Sequence, residues 1–195
     1  MECTKNHTDD NCISLLRVDW EQCLERFWWN HLTMKISQAK PEDAEAVASI
    51  YNHYIENTVI TFEEKAVSAD EMRGRIADVT ANLPWLVCEV DGAVAGYAYA
   101  TQLRARSAYR YSAETTVYLD SAQVGKGLGT RLYETLIAEL KAKSIHTVIG
   151  GIALPNAASV ALHEKMGYRK VAHYEQVGWK FGKWIDVGYW QRFLE

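Results

Sequence analysis

The segment Val124-Gly125-Lys126-Gly127-Leu128-Gly129-Thr130 limits what this chain can fold into more than any other. Three glycines at alternate positions separate a strand-like stretch from a long amphipathic pattern, Gly127 to Lys143. That pattern carries Leu132, Leu136, Ile137 and Leu140 on one helical face. Where side chains are missing, backbone N–H groups can approach a ligand closely. A helix beginning there offers unpaired N–H groups and the positive end of its dipole, which suits a pyrophosphate, and Lys126 adds charge. No Gly-Lys-Ser/Thr follows at the spacing of a P-loop. The segment also comes too late to open a dinucleotide-binding strand–turn–helix unit. Taken alone, the glycines serve equally well as simple turn geometry.

The flanking patterns predict an α/β domain with a mixed sheet. Lys35 to Ala39 alternates as a short strand, and Pro41, Glu42 and Asp43 suit a helix start. Val47, Ile50, Tyr51 and Tyr54 give that helix its apolar face. A second helix is predicted over Ala69 to Val79, with Met72, Ile76 and Val79 inward. Trp85 to Val90, the turn Asp91-Gly92, and Ala93 to Ala100 read as a hairpin. Thr115 to Leu119 is a further strand. Thr147 to Ala153 is apolar without alternation, as for a strand buried on both faces. A helix from Asn156 to Met166 ends at Gly167, and strands near Tyr168 to Val177 and Trp184 to Phe193 close the chain.

Length and composition fit this picture. The 195 residues suffice for one well-buried domain, and 48% hydrophobic with 24% charged residues is globular composition. A net charge of −4 without a strongly basic stretch argues against a nucleic-acid partner. No apolar run reaches membrane-span length, so no membrane association is expected. The cysteines at 3, 12, 23 and 88 have neither zinc nor redox spacing, so no metal and a reduced, cytoplasmic setting are expected. Residues 1–33 read as an N-terminal extension. They hold three of the four cysteines and Trp20, Trp28 and Trp29, without strand alternation or a secretory pattern. Met34 reads as an alternative start, with the domain spanning 34–195; a helix through Trp20 to Trp29 packed on the domain is the competing reading.

The glycine loop resembles the pyrophosphate loop of the GNAT acetyltransferases, Gln/Arg-x-x-Gly-x-Gly/Ala. Gly127 and Gly129 match it, while Val124 stands at the Gln/Arg position with Gln123 one place early. Ala113-Glu114-Thr115-Thr116-Val117-Tyr118, the run Leu154 to Tyr168, and Val177 to Asp186 are similar to the phosphinothricin N-acetyltransferase family. So are Asn52-His53-Tyr54-Ile55 and Pro84-Trp85-Leu86-Val87, and the likeness runs from about Met34 to the C-terminus. It implies the GNAT fold, a mostly antiparallel mixed sheet splayed at the acetyl-coenzyme A site and flanked by helices. It also implies acetyl-coenzyme A as cosubstrate, a small amino-acid-like acceptor and a homodimer.

Residue by residue, the resemblance makes Glu114 the general base that removes a proton from the substrate ammonium, and His163 the proton donor to the coenzyme A thiolate. A solvated glutamate or structural ion pair, and a helix-surface histidine, are the bland readings of the same two positions. Backbone groups of Val117, Tyr118 and Leu119 would meet the pantetheine. Val124, Gly125, Lys126, Gly127, Leu128, Gly129 and Thr130 would hold the pyrophosphate. Asn156, Ser159 and His163 fall on one helical face; Asn156 suits an N-cap, and the resemblance adds a contact to the pantetheine arm or acyl carbonyl. Arg104, Ala105, Arg106, Ser107 and Arg110 form a basic loop suited to a substrate carboxylate, with a solvated loop as the alternative. Tyr133 either faces the thiol end or packs in the core. Trp179, Phe181 and Trp184 are read as aromatic core, with a dimer-shared cleft as the alternative. Cys88, in an apolar strand without a base, is not a nucleophile. The rival functions are acetylation of another amine, a polyamine or a peptide N-terminus, and an acyl-coenzyme A sensor without turnover.

Overall fold

The computed structural model of the protein describes residues 33–195. The readings of the chain before Thr33 lie outside the described residues. Thr33 itself is tied in: its N–H donates to the Asp91 carboxylate and its carbonyl accepts from the Asp91 N–H, both at 3.1 Å.

Among the described residues seven strands form one sheet, β1 (Met34–Gln38), β2 (Trp85–Val90), β3 (Ala93–Gln102), β4 (Ser112–Leu119), β5 (Thr147–Leu154), β6 (Arg169–Lys180) and β7 (Lys183–Phe193). Their order is β1-β2-β3-β4-β5-β7-β6, and the β4–β5 pair alone is parallel. That pair needs a crossover, which α3 (Leu128–Ala142) supplies. The other helices are α1 (Ala44–Asn57), α2 (Ala69–Thr80) and α4 (Ala157–Lys165).

Each face of the sheet has its own core because successive strand residues point to opposite sides. On one face α3 buries Leu132, Leu136 and Leu140 against Leu86, Ala98 and Val148. On the other, α1 and α2 bury Val47, Ile55 and Met72 against Trp85, Val87 and Tyr97. Cys88 is fully buried on the α3 side, and burial pushes its thiol pKa up, which suits packing rather than nucleophilic chemistry.

Local signals account for most boundaries. Ser68 caps α2 by accepting from the Glu71 N–H (3.1 Å), and Asp91-Gly92 turns the β2–β3 hairpin with both residues at positive φ. Two expectations are corrected. β4 starts at Ser112, three residues earlier than the apolar pattern indicated, so Glu114 lies inside the strand rather than before it. Trp179, Phe181 and Trp184 are not core; each is more than half exposed. They sit where the β6–β7 hairpin runs past Leu154↔Asp186, the last β5–β7 pair, so no helix layer covers them. The same hairpin end is anchored by Lys180, whose buried Nζ donates to the Thr61 carbonyl (2.8 Å) in the α1–α2 loop.

Candidate active site

β4 and β5 pair at three positions only, ending at Glu114↔Ile149. Beyond that point β4 continues along β3 to Leu119, and β5 continues along β7 to Leu154. The facing edges of Thr115–Leu119 and Gly150–Leu154 therefore form no ladder with each other. Backbone groups along such a gap must find other partners, which makes it a slot for an extended chain of amides. One group on β4 is already engaged, the Leu119 carbonyl, which accepts from Tyr54 at 2.7 Å; the Thr115 carbonyl lies 3.4 Å from the Tyr133 hydroxyl. Val117 and Leu119 turn half-buried side chains to the α3 core, and Tyr118 is buried against Tyr51 and Tyr54. These three residues thus turn their side chains into the two cores and leave only main chain along the gap.

The glycine loop follows β4. Gly125 (φ +83°) and Gly127 (φ +79°) adopt left-handed backbone. Gly127 is the N-cap of α3, and no side chain caps this helix. Leu128 is buried, so it can give a ligand only its N–H; Gly129 lets α3 approach α4, since a Cβ there would lie 3.2 Å from Leu162. Thr130 is half-buried on the next position. Val124 is exposed and carries no polar group, whereas Lys126 Nζ donates to Gln123 Oε1 (2.9 Å). Gly127→Ala meets no steric clash, so its cost is backbone strain, about 1 kcal/mol. The melting temperature should fall by about 2–4 °C, read by calorimetry.

Glu114 is half-buried at the closed end of the gap, on the α1/α2 face, and its carboxylate has no hydrogen-bond partner among the described residues. Burial raises its carboxyl pKa above the ordinary value, and the positive charge of Arg104 opposes that rise. Gly151 makes room for it: a Cβ there would lie 3.4 Å from Glu114 Oε1 and 3.3 Å from the Tyr189 ring.

His163 occupies the opposite face. It is 3% exposed, so the reading of it as a surface histidine of its helix does not hold. Its Nδ1 is 2.8 Å from the Ser159 carbonyl, which can only accept, so that nitrogen carries the hydrogen. Nε2 then accepts from the Tyr133 hydroxyl at 3.1 Å. Burial lowers the His163 pKa, which keeps the ring neutral. Gly150 admits this ring, since a Cβ would lie 2.2 Å from Nε2. Consecutive glycines on one strand thus clear space on both faces, Gly150 for His163 and Gly151 for Glu114. Asn156 caps α4 by accepting from the Ser159 N–H (3.1 Å), leaving its amide nitrogen for other contacts.

The basic loop is not focused on one point. Arg104 lies near enough to Glu114 and Tyr189 to influence both, with its guanidinium donating to the Leu103 carbonyl (2.9 Å). Arg110 folds back onto the Ser107 carbonyl (3.2 Å) and over the Tyr111 ring (4.5 Å). Ala105, Arg106 and Ser107 are exposed. A 3-10 turn over Ser107–Tyr109 separates the arginines. Sequence reading passed over Gly150, Gly151 and Tyr189; a Gly-Gly pair inside an apolar strand is the signal that marks a close approach.

The description "Acetyltransferase (GNAT) domain" matches residues 36–188. The chain belongs to the GNAT acetyltransferase family. It is accordingly an acetyl-coenzyme A-dependent N-acetyltransferase. It is 40% identical over 162 residues to a phosphinothricin N-acetyltransferase of Streptomyces viridochromogenes, covering 83% of this chain and 88% of that one. It is 37% identical over 166 residues to an L-methionine sulfoximine/L-methionine sulfone acetyltransferase of Salmonella typhimurium, covering 83% and 95%. Among solved structures, a GNAT superfamily phosphinothricin acetyltransferase from Sinorhizobium meliloti in complex with acetyl-coenzyme A superposes with a TM-score of 0.80. That pair shares 34% identity, over 83% of this chain and 89% of the other. The GNAT fold expected from the sequence is the fold observed, with its sheet open between β4 and β5.

Proposed function

We propose that the protein transfers the acetyl group of acetyl-coenzyme A to the amino group of a small amino-acid-like acceptor such as phosphinothricin, methionine sulfoximine or methionine sulfone. The observation that carries this is the β4–β5 gap, with an uncapped, glycine-led helix start after β4 and an unpartnered, basic carboxylate at its closed end. The names of the relatives supply the acceptor class. The residues present fit the cosubstrate: N–H groups at Gly127 to Thr130 for pyrophosphate, main chain at Val117 to Leu119 for pantetheine, and the amide of Asn156.

In this reading Glu114 takes a proton from the acceptor ammonium on the α1/α2 face, directly or through water. The freed amine attacks the thioester carbon, the new C–N bond forms and the C–S bond breaks. The leaving thiolate takes its proton on the α3 face from the Tyr133 hydroxyl, which the His163 Nε2 orients, and the second proton of the attacking nitrogen restores that hydroxyl as the amide forms. Because the thioester lies in the gap, both faces can reach it. Arg104 receives the acceptor carboxylate. Its charge also disfavours polyamines relative to amino acids.

The exposed aromatic end of the β6–β7 hairpin supports a homodimer, since Val177, Trp179, Phe181 and Trp184 are each more than half exposed and contiguous. Sedimentation should give a dimer, and Trp184→Glu should shift it to monomer at micromolar concentration; a monomeric parent protein contradicts this.

The proposed activity is tested by thiol release with acetyl-coenzyme A and a panel of amines. Release with phosphinothricin and methionine sulfoximine but not with polyamines or peptides is the expected result. Release with other amines alone discards the acceptor class. Tight coenzyme binding without release from any amine favours a sensor.

A further inference from the structure

Tyr189 stands on β7, yet it reaches the catalytic carboxylate on β4. Its cross-strand partners are Gly151 on β5 and Ala172 on β6, so no large side chain stands directly opposite it. The ring leans over Gly151: its Cε1 lies 3.3 Å and its Cδ1 3.7 Å from the position a Cβ would take there. Glu114 Oε1 lies 3.4 Å from that same position. Side chains from two strands that do not pair thus meet over one glycine, and the nearer ring carbon is the one next to the hydroxyl-bearing carbon. Tyr174 packs against the ring from β6, with centroids 5.1 Å apart.

The Tyr189 hydroxyl has no hydrogen-bond partner among the described residues. Burial and the Glu114 charge raise its pKa, so it stays a neutral donor at physiological pH. Glu114, though close, does not accept from it. Arg104 alone holds the Glu114 pKa down, where a hydrogen bond from Tyr189 would also do so. Arg104 is near enough to influence both groups, and its one hydrogen bond goes to the Leu103 carbonyl (2.9 Å), which leaves most of its five donors uncommitted. One proton acceptor therefore lies beside two sources of free donors. An α-amino acid presents the complement of this set, with an ammonium and a carboxylate on a single carbon.

We propose that the Tyr189 hydroxyl donates to the α-carboxylate of the acceptor alongside Arg104, and so selects α-amino acids over amines that lack a carboxylate. This rests on the acetyl-transfer reading above, in which Glu114 takes the ammonium proton. Tyr189 is then a specificity-determining residue, and a simple amine would engage Glu114 but leave both donors unused.

The test compares methionine sulfoximine with its methyl ester, which keeps the amine and the side chain and loses the carboxylate charge. In the parent protein kcat/KM for the acid should exceed that for the ester by about tenfold or more. Tyr189→Phe keeps the ring and removes only the hydroxyl. It should lower that ratio by about tenfold, through a higher KM for the acid, and leave the acid limb of the pH profile in place. The ester's less basic amine enters both proteins alike and cancels in the comparison. An unchanged ratio in a folded Tyr189→Phe protein overturns the proposal. So does an acid limb that moves while the ratio does not, which gives the hydroxyl to Glu114. Equal use of acid and ester by the parent protein overturns it without any variant, and so decides the matter should Tyr189→Phe fail to fold. Acetyl transfer stands in all three cases; absence of thiol release from every amine in the parent protein sinks that reading instead.

Discussion

Glu114→Gln lowers kcat for thiol release by about a hundredfold to ten-thousandfold while leaving acetyl-coenzyme A affinity within about threefold. The substitution keeps the shape and removes only the base. The amine is an ammonium ion at neutral pH, and in the proposed mechanism Glu114 is the proton acceptor that frees it. The parent profile carries the same signature. A base acts in its deprotonated form, and burial raises the Glu114 pKa. Activity therefore falls as pH drops through that raised value, so the acid limb lies above the ordinary carboxylate range. Arg104 holds the pKa down, so Arg104→Gln moves the limb to still higher pH, as well as raising KM for the acceptor. Initial rates across pH for the three proteins, with calorimetric acetyl-coenzyme A binding, check all of this. An unchanged rate in Glu114→Gln removes the residue from the chemistry.

Two neighbouring alanine substitutions should behave in opposite ways. Gly150→Ala drives a Cβ to 2.2 Å from His163 Nε2, so the ring must leave its pocket. Tyr133, fully buried, then exchanges a 3.1 Å acceptor, His163 Nε2, for the Thr115 carbonyl at 3.4 Å. Overpacking together with a lengthened buried hydrogen bond costs roughly 2–4 kcal/mol. For a domain of this size that is about 5–10 °C in Tm by calorimetry. Gly151→Ala brings a Cβ only to 3.3–3.4 Å from Tyr189 and Glu114, which can yield slightly. Its stability should change by less than about 1 kcal/mol, while kcat falls about ten- to a hundredfold, because displacement of a catalytic group by even 1 Å is costly. Equal melting temperatures for the two variants would contradict the assignment of the two glycines to opposite faces.

The order of elements was readable because the helices announce themselves. Leu132, Leu136, Ile137 and Leu140 all fall on the buried side of α3, and Ser68 and Asn156 cap the helices their positions imply. Glu114 and His163 were readable as residues of interest, but their relation across the sheet was not. It depends on two strands that part after three pairs, and no local pattern records where a parallel ladder stops. The start of β4 was hidden for a related reason: Ser112, Ala113 and Glu114 have weak strand propensity and are held by pairing, Ser112 with β5 and the other two with both neighbours. The exposed tryptophans were misread because hydrophobicity signals burial only on average, and a hairpin end that outruns its sheet escapes that rule.

The most direct test follows the acetyl group itself. The protein is incubated with acetyl-coenzyme A carrying an isotope label in the acetyl group and with methionine sulfoximine or phosphinothricin, and both acceptor and protein are examined by mass spectrometry. The expected result is stoichiometric label on the acceptor's α-amino nitrogen, with none on the protein at any time. Label accumulating on the protein, or bound acetyl-coenzyme A that never transfers its label, would contradict direct transfer through the β4–β5 gap.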